Sequence, residues 1–185
     1  MPYSLLVGKN TIKEWFEKQT GFKTIVDLGP GSGNFPRLLG KKKYIWKAVE
    51  IWGPYIKRFN LDKLYQEIRI GDIRYMELPK GDCAILGDIL EHLNSEDMKR
   101  VFKKVDKQYN HVVISIPVRS VGYRCFEGNE FETHLASWSL EGLNKLIPET
   151  YKIRKYFEGK GTVKLLAGKK VFKKNQFYRV AVFIK

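Results

Sequence analysis

Cysteine is scarce in this chain: Cys83 and Cys125 are the two thiols among 185 residues. Two thiols cannot build a disulfide framework, and their spacing matches no metal-binding pattern, so a reduced, cytoplasmic setting is expected. Long apolar runs are also missing. No stretch approaches the ~20 residues that span a bilayer, and the opening Met1-Pro2-Tyr3-Ser4-Leu5-Leu6-Val7-Gly8 lacks the charged start and apolar core of a secretion signal. A soluble protein without a transmembrane segment is therefore expected.

Acidic residues are the third shortage. Twenty Asp and Glu stand against 34 Lys and Arg, a net charge of +14. With 43% hydrophobic and 14% aromatic residues the chain can bury a substantial core, so this imbalance does not signal disorder. It is also local: residues 151–185 hold eleven Lys or Arg and one acid, Glu158, which leaves +4 for everything before them. So basic a segment favours polyanions such as nucleic acid, or serves solubility alone; both readings stand.

The length suits one domain over residues 1–185. Within residues 1–21, Asn10 or Thr11 can cap a helix in which Ile12, Trp15 and Phe16 share a face, and Thr11 with Glu14 matches a capping box. Strands are expected at 22–28, 44–51, 67–70, 82–86 and 111–116, with helices at 34–39, 54–65 (broken) and 140–146. Ser95 is expected to cap a further helix whose Met98, Val101, Phe102 and Val105 form one apolar stripe. Two last strands, 151–157 and 176–184, flank a glycine- and lysine-rich stretch at 159–175 that reads as a protruding basic turn with room for a hairpin. Strands alternating with helices imply a mostly parallel sheet covered on both faces, with a ligand crevice at the carboxyl ends of the strands.

Two nucleotide signatures are absent. No G-K-[ST] phosphate loop occurs, and the turn Gly29-Pro30-Gly31-Ser32-Gly33-Asn34 puts Asn34 or Pro36 where a dinucleotide fingerprint needs its third glycine. A nicotinamide oxidoreductase is therefore the weaker reading. Instead, Asp27 stands two positions before a G-x-G-x-G turn, and a carboxylate at the lip of that turn suits a cationic amine better than a pyrophosphate. Glu50, seventeen residues after Gly33, ends the second strand where it can accept from both ribose hydroxyls. Gly71-Asp72-Ile73 follows the third strand, its carboxylate suited to an adenine amino group and Ile73 to the ring.

From about residue 22 to the end, this set resembles the class I S-adenosylmethionine-dependent methyltransferases. The resemblance implies a Rossmann-like seven-stranded, mostly parallel sheet with an antiparallel last strand, and S-adenosyl-L-methionine as cofactor. It assigns Asp27, Gly29, Pro30, Gly31, Ser32, Gly33 and Asn34 to the methionine part. Glu50 and Ile51 go to the ribose, Asp72 and Ile73 to the adenine, and Gly87 and Asp88 to the methyl end.

The acceptor chemistry falls on Gly87-Asp88-Ile89-Leu90-Glu91-His92-Leu93, with His92 as the base and Asp88 beside it. A metal-free site is the first expectation. The alternative groups Asp88, Glu91, His92 and His134 as divalent-metal ligands, because Glu91-His92 with the later His134-Leu135-Ala136-Ser137-Trp138 resembles the small-RNA 2′-O-methyltransferases, Asp88 replacing their first glutamate. The acceptor loop is expected at residues 118–137, where Arg119, Tyr123 and Glu130 suit a polar acceptor. Oxygen is favoured as the acceptor atom, since no Asn/Asp-Pro-Pro-Tyr/Phe sequence follows strand four. The acceptor itself is left open among small molecules, glycan or lipid head groups and RNA. A rival from another class is a non-catalytic module holding nucleic acid or a protein through the basic C-terminal region.

Overall fold

The computed structural model describes residues 4–119, 125, 128–167 and 170–185, with backbone alone for 4–5 and 161–177. Eight strands form one sheet: β1 (Ser4–Leu5), β2 (Thr24–Leu28), β3 (Ile45–Glu50), β4 (Glu67–Ile70), β5 (Cys83–Gly87), β6 (His111–Pro117), β7 (Ile153–Ala167) and β8 (Lys170–Ile184), in the order β1-β7-β8-β6-β5-β2-β3-β4. Strands β4, β3, β2, β5 and β6 run parallel, and β8 enters antiparallel between β6 and β7. Apart from the two-residue β1, this is the expected seven-stranded sheet with an antiparallel last strand.

The inner strands β2, β5 and β6 are near-continuous apolar runs because both faces are covered. On one face α1 (Lys9–Lys18), α2 (Asn34–Leu39) and α3 (Pro54–Phe59) bring Ile12, Phe16, Phe35 and Tyr55 against Ile25, Ile85, Val113 and Val182. On the other, α4 (Ser95–Gln108) and α5 (Leu140–Leu146) bring Met98, Val101, Val105 and Leu143 against Val26, Leu86 and Ile114. Among the described residues no helix is long and apolar enough to cross a membrane.

Three expectations need correction. Helix α1 begins at Lys9 without a side-chain cap, because Gly8 (φ 78°) leads into it through the left-handed region. Asn94, not Ser95, caps α4: its side chain accepts from the Asp97 N–H at 2.9 Å. The third correction is the largest. The lysine-rich stretch 159–175 is not a turn between short strands but mostly strand, since β7 and β8 pair from Ile153↔Ile184 to Ala167↔Lys170. Residues 168–169 between the two strands lie outside the described residues. Of the expected acceptor loop, residues 120–124 and 126–127 also lie outside the described residues.

Candidate active site

The carboxyl ends of the adjacent strands β4, β3, β2 and β5 carry most of the predicted residues, as parallel order requires. After β2 the chain turns sharply through Gly29 (φ 72°) and Gly33 (φ 71°), a conformation that disfavours any side chain. A Cβ on Gly33 would stand 2.6 Å from Leu64 Cδ1. The turn holds Pro30, Ser32 and Asn34 buried, and the Ser32 hydroxyl donates to Asn34 Oδ1 at 3.0 Å.

Glu50 faces this turn. Its carboxylate accepts from the Gly31 N–H (3.1 Å) and, through its other oxygen, from the Trp52 N–H (2.9 Å). At 4% exposure its carboxyl is pushed up to about 7, mainly by burial and further by Glu132 and Asp27. Ile51 beside it is half-buried.

Asp27 is not at the lip of the turn. It lies beneath it, 1% exposed, accepting from the Tyr65 hydroxyl at 2.6 Å. Burial pushes its carboxyl up to about 7, against the pull of that hydrogen bond and of Lys9. Asp72 is taken by a neighbour: Arg74 donates to it from Nε and Nη2 and from its own backbone N–H, and its remaining Nη1 reaches Asp97 at 2.9 Å. Burial works against ionisation of Asp72, but these contacts outweigh it and hold its carboxyl below the usual range. Ile73 beside it is buried, 6% exposed, and packs into the apolar core.

Gly87 ends β5 with Phe35 against the place a Cβ would occupy. Asp88 follows in the left-handed region (φ 56°), held by its N–H on the Ser115 carbonyl at 2.7 Å. Its carboxylate meets Lys9 Nζ (3.2 Å) and the Ser115 hydroxyl (3.0 Å). Lys9 is 1% exposed and also donates to Ser115 Oγ at 3.2 Å. The sequence reading passed over it. Its signal was position, for Lys9 shares the buried stripe of α1 with Ile12 and Phe16, where a lysine needs a partner.

The short 3₁₀ turn Leu90–His92 places Glu91 and His92 below the segment 133–138. His92 Nδ1 lies 3.0 Å from the Thr133 carbonyl. The rings of His92 and His134 stand edge to face with centroids 4.8 Å apart. Burial lowers the proton affinity of both; His134 falls to about 4, with His92 as a further cause. Glu91 is 3% exposed and held well above the carboxylate range, by burial and then by Asp88. Glu132, also missed as a site residue, is buried and accepts from the Tyr55 hydroxyl at 2.9 Å. Of the four alternative metal ligands, Glu91, His92 and His134 come together, whereas Asp88 turns to Lys9 and lies outside the group.

No protein-family model and no curated protein matches this sequence. Solved structures do match. A methyltransferase from Methanosarcina mazei, described as dependent on S-adenosylmethionine, superposes with a TM-score of 0.65 at 14% identity, over 93% of this chain and 96% of its own. A methyltransferase of the same description from Clostridium acetobutylicum gives 0.52 at 13% identity, over 95% and 88%. Magnesium protoporphyrin IX methyltransferase from Synechocystis, solved with bound S-adenosylmethionine, gives 0.57 at 11% identity, over 95% and 77%. The chain has the class I S-adenosylmethionine-dependent methyltransferase fold.

Proposed function

We propose that this protein is an S-adenosylmethionine-dependent methyltransferase that acts on an acceptor oxygen. The observation that carries the reading is Glu50. A carboxylate offers about four lone-pair directions; two are met by the Gly31 and Trp52 N–H groups, and those bonds hold it against the glycine turn. The rest suit two donors on adjacent carbons, which is what a ribose diol offers. The turn brings bare backbone against the methionine portion. Solved relatives of this fold include one holding S-adenosylmethionine.

When bound, the cofactor supplies a methyl group on a sulfonium, open to displacement by an in-line nucleophile. The protein's part is to orient, exclude water and accept a proton. A carbonyl only accepts, so the His92 contact to Thr133 puts the ring hydrogen on Nδ1 and the lone pair on Nε2. That lone pair is the candidate base.

Calorimetric titration with S-adenosylmethionine tests the reading. Wild-type protein is expected to bind at one site, and Glu50→Ala to lose at least tenfold in affinity; absence of binding by the wild type would overturn the assignment. Label from radioactive methyl donor, followed into the RNA, lipid, glycan and small-molecule pools of an extract, then identifies the acceptor.

A further inference from the structure

We propose that a cleft at the amino ends of β2 and β3 binds a small oligophosphate, an anion of several linked phosphates. It lies at the opposite end of these strands from the candidate active site, and nothing in the methyl-transfer reading uses it. The cleft measures about 620 Å³, within the range that holds a small molecule. Half of the residues that line it are lysines: Lys23, Lys41, Lys42, Lys43 and Lys63.

A run such as Lys41-Lys42-Lys43 would by itself be a solvated turn. Here folding adds two lysines from other parts of the chain. The Ile45 N–H donates to the Lys23 carbonyl at 2.8 Å, and the Lys43 N–H closes its turn on the Gly40 carbonyl at 3.2 Å, so Lys23 and the run stand side by side. The 3₁₀ turn Leu61–Lys63 brings the fifth: the Lys63 carbonyl accepts from Lys41 Nζ at 3.4 Å, which ties this third stretch to the run.

Charge is the second observation. Among the described residues no acid lines the cleft. Asp82 comes near, but it takes the backbone N–H groups of Lys23 and Thr24, at 2.8 Å each, and stays outside the lining. Residues 1–150 carry a surplus of four positive charges, and the five lysines of this cleft outnumber it. Like charges gathered in this way repel one another, and a bound polyanion offsets that repulsion. A single phosphate carries roughly −2 at most near neutral pH, so it leaves most of the lysines uncompensated. A chain of phosphates does not.

Third, two polar groups at the cleft are already set. Gln66 Oε1 accepts from the Trp46 N–H at 2.6 Å, which leaves its amide NH₂ as the donor end. Lys43 Nζ stands 5.2 Å from the centre of the Tyr44 ring, and that contact holds its ammonium against the cleft wall. The lining has no arginine. Lysines are point charges without a planar fork, and they suit the many oxygens of a phosphate chain better than the flat geometry of a carboxylate.

The test is calorimetric titration of the full-length protein with sodium tripolyphosphate at neutral pH and fixed ionic strength. One tripolyphosphate per chain is expected, bound roughly tenfold or more tighter than orthophosphate. Lys42→Glu combined with Lys63→Glu should weaken it by a similar factor; both side chains are exposed, so the fold is expected to survive. As a control of equal charge, Lys152→Glu combined with Lys155→Glu, at exposed positions near the start of β7, should leave the affinity within about a factor of two. Equal losses in the two pairs would reduce the effect to the field of the whole molecule. Full affinity in the first pair would place the anion elsewhere, and no binding by the wild type would remove the site; each of these results overturns the proposal. So would a short single-stranded RNA that binds through Lys42 and Lys63 more tightly than tripolyphosphate does, because the cleft would then belong to a nucleic-acid backbone.

Discussion

At the scale of single residues, Lys9 and Asp88 carry the clearest stability prediction. Lys9 Nζ is fully enclosed while the Asp88 side chain keeps 19% exposure, so Lys9→Met strands a charge that water only partly reaches. A loss of about 2–4 kcal/mol is expected in urea unfolding, with part recovered in the Lys9→Met, Asp88→Asn double variant; additive losses would show the pair to be uncoupled. Asp27 and Glu50 set a pH dependence. Both carboxyls are raised to about 7 in the folded chain, against about 4 when unfolded. On these two groups the native state therefore holds more protons between these values, and their contribution to stability, fully present below pH ~4, is lost as pH rises through 7. Asp27→Asn should flatten that slope in unfolding curves taken at pH 5 and 7. His92→Ala should leave cofactor affinity within a factor of about two while turnover drops 10²-fold or more. Glu50 and Gly29 were legible from spacing alone, because each answers to its own strand end. Lys9, Tyr65 and Glu132 were not, because their meaning comes from partners 79, 38 and 77 residues away.

Elements were more legible than their edges. The strand Glu67–Ile70 and the helices Asn34–Leu39 and Leu140–Leu146 have the bounds that apolar period and glycine punctuation imply. The expected break in 54–65 falls at Asn60, whose φ of 53° ends α3 before the short 3₁₀ turn Leu61–Lys63. Cap positions were off by one to three residues where several polar side chains compete, as with Asn94 and Ser95. Asn94→Ala should accordingly cost about 1 kcal/mol, and Ser95→Ala much less, in thermal unfolding. The length of the hairpin was not legible because lysines and glycines interrupt its alternation, and pairing across fifteen rungs supplies what composition does not. In the glycine turn, Gly33→Ala combines a left-handed φ with a 2.6 Å approach to Leu64. A loss of about 1–3 kcal/mol is expected, together with weaker cofactor binding in the same calorimetric titration.

For the whole molecule, the mostly parallel sheet covered on both faces was legible because strands alternate with helices along the chain. The basic surplus was placed correctly in the last 35 residues but assigned to a turn. As strand, it acquires another meaning. Strand β6 pairs with β8 only over residues 180–184, and β1 meets β7 only at Leu165 and Leu166. Residues 170–178 thus extend ~31 Å of ladder whose outer hydrogen-bonding groups face no strand among the described residues, before the Arg179 carbonyl accepts from the Val118 N–H. An open edge of that length invites a second chain to add on, and lysine along it is a common safeguard. Lys170, Lys173 and Lys174 lie on that edge. Their positive charge then acts as a guard against self-assembly: replacing all three with Thr should turn a dispersed protein into one whose light scattering grows with concentration.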